Sequence, residues 1–136
     1  QENTLTCNVI ASMNSKSSWE IDIPDGGRTM IKDNVIQQGQ LSVNNGIIGF
    51  AMESRNPRHR NPEQTLILKN NLIINDRDRA RFIVFQEHNN TTFEIQGNNF
   101  VGTGKLDFGA GNKRYRDRAS ANIAAYPALP EACQKK

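Results

Sequence analysis

Short stretches of alternating apolar and polar residues recur through the first 110 residues of the chain. Four of them share one order: alternating apolar residues, then an asparagine, then two apolar residues. The asparagines that align in this order are Asn8, Asn34, Asn71 and Asn99. Because alternation is typical of β-strands, each stretch predicts a strand, an asparagine corner and a second short strand.

A further strand is predicted after each of these units, at residues 19–23, 47–52, 81–85 and 105–108. Polar segments rich in Asn, Ser and Gly separate the strands, and no run before residue 117 has helical apolar spacing. The repeating unit is therefore strand, asparagine corner, short strand, loop, strand and loop. This order is typical of a β-solenoid coil of about 20–30 residues, and about four coils fit into residues 1–110.

Asparagine suits a solenoid corner for two reasons. It tolerates the left-handed backbone conformation, and its amide can hydrogen-bond to the asparagine one coil away. Because one coil cannot bury its own inward face, coils must stack. An ordinary β-sandwich whose strands end in asparagine is the alternative, but four matched units favour the solenoid.

Two segments depart from the repeat. Residues 53–64 contain Pro57 and Pro62, which cannot donate to a strand ladder, so a protruding loop is expected there. Residues 111–136 form an irregular tail that is basic at 113–118. Residues 119–125 could form a short helix, which prolines at 127 and 130 would end. The tail is expected to cap one end of the stack.

The motifs IDIPDGG at 21–27, IKDNVIQQG at 31–39, NNLIIND at 70–76 and GNNFVG at 97–102 resemble a known family. They are similar to bacterial right-handed parallel β-helix repeat proteins of the broad pectate-lyase-like group. The resemblance covers residues 4 to 110 and implies an all-β, right-handed parallel β-helix. Members include polysaccharide lyases, hydrolases, epimerases and phage tailspikes. Those enzymes are usually much longer, so no catalytic residue is carried over.

Composition and charge exclude several classes of function. Apolar residues make up 36 % of the chain, which is too high and too well patterned for a disordered chain. No stretch approaches the roughly 18 apolar residues of a membrane span. The net charge is only +3, and one Trp with two Tyr would supply a base-stacking platform poorly. We therefore expect neither membrane insertion nor a nucleic-acid partner.

Cys7 and Cys133 lie near opposite ends of the sequence. A disulfide between them would enclose nearly the whole chain, while two buried thiols in a cytosolic protein are the alternative. The chain begins with Gln1, as a mature secreted protein often does after its signal peptide is removed, although any chosen boundary looks the same. We favour the disulfide and a secreted, extracellular or periplasmic location, with pairing within or between chains left open.

Charged residues supply one candidate binding site. A lyase acting on acidic polysaccharides needs a base and cations that stabilise an enolate-like charge. The candidates in the loop are Glu53, Arg55, Arg58, His59 and Arg60. Arg77 and Arg79, beside Asp76 and Asp78, are expected at the equivalent edge one coil on. The alternative, which the sequence favours, is a solvated loop whose charges pair among themselves.

The sequence gives less support for a metal site or a cofactor site. Asp22, Asp25 and Asp33 are the best calcium candidates, but Asp25 precedes two glycines as in a turn. Zinc is disfavoured because His59 and His88 are the only histidines and the cysteines are far apart. No metal and no cofactor are expected.

The ends of the predicted stack indicate self-association. The first strands begin at about residue 5, with no amphipathic helix before them to cover the first coil. An uncovered coil presents unpaired N–H and C=O groups to another chain, and a head-to-tail contact that does not close produces a filament. We therefore predict a secreted, non-catalytic subunit of an extracellular assembly. A lyase-like polysaccharide-processing fragment and a glycan-binding module are the alternatives.

Overall fold

A computed structural model describes residues 1–86, 90–105, 108–125 and 128–134. The strands in these ranges are β1 (Glu2–Thr6), β2 (Val9–Ala11), β3 (Ile21–Ile23), β4 (Arg28–Lys32), β5 (Val35–Gln38), β6 (Gly46–Phe50), β7 (Thr65–Lys69), β8 (Leu72–Asn75), β9 (Ala80–Phe85), β10 (Thr92–Gln96), β11 (Asn99–Val101), β12 (Gly104–Lys105) and β13 (Lys113–Tyr115). Two short 3-10 turns, at Pro57–His59 and Glu131–Cys133, are the helical elements of these ranges. None is long and apolar enough to cross a membrane.

The strands form three sheets, and every pairing within the described ranges is parallel. The first sheet has the order β1-β4-β7-β10, the second β2-β5-β8-β11-β13, and the third β3-β6-β9-β12. From β1 to β9 each strand pairs with the strand three places further on, so the chain passes through the three sheets in turn up to β12. The all-β prediction is confirmed and the arrangement is compatible with a β-helix-like fold. The sandwich alternative, which needs antiparallel sheets, is wrong for the described residues.

The core lies between the three sheets and consists of stacked apolar positions. Leu5, Ile31, Leu68 and Ile95 share one register position in the first sheet. Ile10, Ile36, Ile73 and Phe100 share one in the second sheet, and Ile21, Ile48 and Ile83 share one in the third. Each such side chain contributes about 1.5–3 kcal/mol when fully buried. The alternation found in the sequence therefore produces this core directly.

The corner between the first and second sheets contains a hydrogen-bonded asparagine ladder. The backbone N–H and the side-chain amide of each asparagine donate to Oδ1 of the asparagine one coil on, at 2.9–3.1 Å. The members of the ladder are Asn8, Asn34, Asn71, Asn98 and Asn112. The assignment of Asn99 to this ladder is wrong. Asn99 pairs with Leu72 and so lies one position later, inside a strand.

The left-handed residue of each corner is the one that precedes the asparagine. Those residues are Cys7, Asp33, Asn70, Gly97 and Gly111, with φ between 55° and 75°. The expectation that the ladder asparagines adopt this conformation is therefore wrong. They are placed instead by their amide hydrogen bonds, while the preceding residue turns the chain.

The predicted loop at residues 53–64 contains no strand. Asn56 caps its 3-10 turn through a hydrogen bond from Arg58 N to Asn56 Oδ1 at 3.1 Å. The predicted strand at 105–108 begins earlier, in β12, and residues 106 and 107 lie outside the described residues, as does His88.

The tail lies along the side of the second sheet. Tyr115, Ala121 and Ile123 pack against the outward-facing Val35, Ile74 and Val101, and residues 118–122 form turns in place of the expected helix. The tail then ends at the Cys7–Cys133 disulfide, whose S–S distance is 2.03 Å. The disulfide is thus confirmed within one chain. β13, at the start of the tail, pairs with β11 and so extends the second sheet beyond residue 110 at the carboxy-terminal end of the stack. That the tail caps this end stays a prediction.

Candidate functional site

The amino-terminal end of the stack is an open apolar cavity. The first strands β1, β2 and β3 each have a partner on one side only within the described residues. The cavity between them has a volume of about 400 Å³. Its apolar lining comes from the first members of the core positions, namely Leu5, Ile10, Ile21 and Ile23.

Carboxylates surround this cavity. Glu20 lines this cavity. Its backbone N–H donates to the carbonyl of Ile47 at 3.0 Å, so Glu20 has the same position in the first coil that Ile47 has in the second. Burial raises the pKa of the Glu20 carboxyl, and hydrogen bonds from Ser12 and Ser17 oppose that shift only in part. Burial and repulsion from Glu53 likewise raise the pKa of Asp22. The amino-terminal end is therefore acidic.

The carboxy-terminal end of the stack carries cations. Arg114 occupies the register position that Phe100 and Ile73 fill in earlier coils. Its guanidinium lies 5.8 Å from the centre of the Phe82 ring and donates to the carbonyl of Gly104. Lys105 and Lys113 belong to the same last strands, β12 and β13. The core therefore has a cationic side chain, Arg114, at its carboxy-terminal end and an acidic side chain, Glu20, at its amino-terminal end.

Three aromatic rings pack against the core near the last strand of the first sheet, β10. Phe85, Phe93 and Phe108 pack with ring centroids 4.7–5.9 Å apart. Phe93 and Phe108 also line a cavity of about 490 Å³ beside β10. Both ends of the stack therefore combine an apolar centre with charged groups, of opposite sign at the two ends. The importance of Glu20 and Arg114 was not recognised from the sequence, because it depends on the strand register.

The loop at 53–64 brings Glu53 and His59 to the turn that contains Asp25. His59 Nδ1 lies 3.1 Å from Asp25 Oδ1, and one ligand atom from each of the three residues lies within 4.8 Å of the others. Asp33, the third calcium candidate, lies instead at an asparagine corner beside Lys32, at 3.5 Å. The calcium grouping of Asp22, Asp25 and Asp33 is therefore wrong.

The arginines of this loop have different environments. Arg60 donates from Nε to the carbonyl of Ser54 at 3.0 Å and from a terminal nitrogen to that of Arg55 at 3.4 Å. The side chains of Arg55 and Arg58 form no ion pair or hydrogen bond with the described residues. Binding of acidic polysaccharide by this loop stays a prediction.

Arg77 and Arg79 do not lie at the edge of the stack that carries the loop at 53–64. Residues 53–64 connect the third sheet to the first, whereas residues 76–79 connect the second to the third. Arg77 donates from Nε to the carbonyl of Ser42 at 2.9 Å and from a terminal nitrogen to Asn45 Oδ1. Arg79 is exposed and has φ of 58°. A joint site with Glu53 and His59 is therefore wrong.

The Asp76 carboxylate binds the tail of the chain and is not part of a ligand site. Arg118 donates to both Asp76 carboxylate oxygens, at 2.7 and 2.6 Å, and Gln37 donates to Oδ2 at 2.7 Å. Burial alone would raise the pKa of Asp76, but these hydrogen bonds and the charge of Arg118 outweigh it and hold the pKa below its ordinary value. The pair therefore contributes stability that is present at neutral pH and is lost as the pH falls through the lowered pKa.

We expect Asp76→Asn to lower the free energy of unfolding by about 1–3 kcal/mol at pH 7, because it removes a charge-assisted pair that is mostly buried. The difference from the wild type should shrink below about pH 4, where an unfolded aspartate becomes protonated. Urea unfolding at several pH values measures both effects. Asp78→Asn, which alters an exposed carboxylate with a single 3.4 Å contact, is the control. An Asp76→Asn effect that is independent of pH would contradict this role.

No family model, no curated protein and no solved structure matches this chain. No family is therefore assigned to it, and the resemblance to the pectate-lyase-like group stays a prediction beyond the parallel-sheet architecture. What the geometry shows is an all-β stack with an acidic open end, a cationic opposite end and a tail fixed along one side.

Proposed function

We propose that this chain is a right-handed parallel β-helix of four coils that self-associates head-to-tail as a non-catalytic structural subunit. The observation that carries the proposal is the pair of opposite charges at the two ends of the core. Glu20 begins a register position that Ile47 and Phe82 continue, and Arg114 lies over Phe82 at the other end. A second copy stacked in the same direction would therefore bring its Glu20 toward Arg114.

The sheet edges support the same direction of contact. The open edges of β1, β2 and β3 belong to the three sheets whose last strands are β10, β13 and β12. The second sheet extends one strand further than the other two, so stacking in the same direction would first place β2 of the second copy in parallel with β13, about 4.8 Å from it. Pairing would satisfy backbone groups that edge strands leave open, and the cavity lined by Leu5 and Ile10 would be covered.

The asparagine ladder has a matching polarity. Each asparagine donates to the next coil, so Asn8 Oδ1 is left as an acceptor, with no donor from the described residues. Asn112 is the last donor, and its amide now donates to carbonyls of its own turn, those of Phe108 and Ala110 among them. A head-to-tail contact would place this donor end opposite the open acceptor end.

The contact would be heterologous, since different surfaces of the two copies meet. Such a contact produces a ring when its rotation closes and a filament when it does not. Opposite charges at its centre would set the direction of stacking, because like charges brought together there cost several kcal/mol. The disulfide is typical of oxidising compartments, so we place this assembly outside the cell or in the periplasm.

A charge exchange tests the proposal. We expect the wild-type protein to show a mass above that of the monomer, rising with concentration, in sedimentation velocity experiments. Glu20→Lys and Arg114→Glu should each weaken this association at least about tenfold, since each places like charges at the contact. An equimolar mixture of the two variants should restore it, because every contact in the mixture can then join opposite charges.

Arg79→Glu, which reverses an exposed cation between β8 and β9 and not on a first or last strand, is the matched control and should associate like the wild type. Circular dichroism checks that the variants fold. If Glu20→Lys does not fold, Arg114→Glu still tests the contact, because it changes an exposed side chain. A wild-type protein that stays monomeric at its highest soluble concentration would exclude self-association. Restoration that fails in the mixture would exclude this pairing of ends.

A further inference from the structure

One imidazole and two carboxylates converge at the rim of the amino-terminal end, where the loop at 53–64 meets the turn at 24–27. Asp25, Glu53 and His59 each direct one ligand atom to a region in which these atoms lie within 4.8 Å of one another. His59 and Asp25 side chains are 42 % and 38 % exposed, so the cluster is accessible from solvent.

The backbone holds these three residues in place through contacts that do not use their side chains. The Asp25 carbonyl accepts hydrogen bonds from the side-chain amides of Asn61, at 2.8 Å, and Gln64, at 3.1 Å. The Glu53 N–H donates to the carbonyl of Pro24 at 2.9 Å, and the His59 N–H donates to that of Asn56 at 2.9 Å. These contacts hold the loop against the turn, and the hydrogen bond between His59 and Asp25 is the side-chain contact within the cluster.

Among the described residues, no arginine forms an ion pair with a carboxylate of the cluster, although Arg55, Arg58 and Arg60 belong to the same loop. The Glu53 carboxylate forms no ion pair or hydrogen bond with the described residues, and it lies close enough to Asp22 to repel its carboxylate. A His59–Asp25 ion pair alone would be worth at most about 1 kcal/mol at this exposure, and it gives Glu53 no role. A bound cation would contact all three residues.

We propose that Asp25, Glu53 and His59 bind a first-row divalent transition-metal ion such as Zn²⁺, with water completing its coordination. Imidazole nitrogen together with carboxylate oxygen suits such ions, whereas Ca²⁺ takes oxygen ligands. In tetrahedral coordination, ligand atoms about 2.0–2.2 Å from zinc lie about 3.3–3.6 Å apart. The three ligand atoms lie within 4.8 Å of one another, so binding requires these exposed side chains to approach each other by about 1 Å. One histidine is sufficient here because the other two ligands are carboxylates.

Metal binding by the full chain tests this site independently of assembly. Isothermal titration with Zn²⁺ and the visible absorbance of bound Co²⁺ should report one site per chain. His59→Ala and Glu53→Gln should each lower the affinity at least about tenfold, since even a residue that only supports a metal ligand costs that much when replaced. Both are exposed loop changes, and circular dichroism with and without metal would confirm an unchanged fold.

Two controls locate the ion. His88→Ala removes the only other histidine, and Glu63→Gln removes a carboxylate of the same loop that lies beside Arg28 and Thr65. Both should bind like the wild type. No Zn²⁺ binding up to about 1 mM, or an equal loss of affinity in a control variant, would overturn the proposal. Binding by a monomeric protein would support it even if the head-to-tail contact is absent.

Discussion

Replacing Cys7 and Cys133 together by serine is expected to lower the free energy of unfolding by about 5 kcal/mol, because it removes a disulfide that encloses nearly the whole chain. The disulfide joins residues 126 positions apart. In the chain-entropy model such a loop restricts the unfolded state by roughly that amount at 25 °C. The bond also fixes the 3-10 turn Glu131–Cys133 to the corner of the first coil.

Urea unfolding of the wild type with and without reductant measures this effect beside the double variant. Reduction should lower the midpoint of the wild type to that of the variant, and reductant should leave the variant unchanged. The substitution itself is mild, because serine can replace the half-buried Cys7 at its left-handed corner with a side chain of similar size. A double variant within about 1 kcal/mol of the wild type would show that the disulfide contributes little to stability.

Asn98→Ala should destabilise the fold by about 2–5 kcal/mol, whereas Asn99→Ala should change the free energy of unfolding by no more than about 0.5 kcal/mol. Asn98 is fully buried. Its Oδ1 accepts from the backbone and side-chain amides of Asn71, and its Nδ2 donates to the carbonyl of Leu68. Alanine leaves these buried partners unsatisfied, and each costs about 1–3 kcal/mol.

The neighbouring asparagine provides the control, because the two substitutions have the same chemistry one residue apart. Asn99 occupies a position that Leu72 and Val35 fill in other coils, and its backbone hydrogen bond to Asn71 is retained in alanine. Denaturant unfolding of both variants measures the contrast. Equal destabilisation by the two changes would contradict the ladder as the source of the effect.

The strands and corners could be predicted from the sequence because they depend on local patterns. Alternation identified the three-strand unit, and the asparagines identified the corner. The error at Asn99 arose because two asparagines stand together before Phe100 and Val101. The glycine at 97 was the missed signal, since a left-handed residue comes before every ladder asparagine, and Gly111 before Asn112 repeats it. Asn112 was missed because it follows Asn98 by only 14 residues.

The candidate sites depend on contacts that local patterns do not specify. Glu20 and Arg114 become significant only when the register places them at opposite ends of the same core. Asp25 meets Glu53 and His59 because the loop at 53–64 folds back by hydrogen bonds from Asn61 and Gln64. The predicted disulfide implied that the tail returns to the first coil, but its path along the second sheet depends on the packing of Tyr115, Ala121 and Ile123, which local patterns do not specify.

The bond between Cys7 and Cys133 also determines how the molecule would carry mechanical load. A force applied to the two chain termini passes directly from residue 7 to residue 133, so the coils between them are not in the line of tension. The coils therefore stay folded under tension on the termini for as long as the disulfide is intact. In a head-to-tail fibre the load would instead enter at β1–β3 and leave at β10, β12 and β13, so it would cross the hydrogen bonds between coils and not the disulfide.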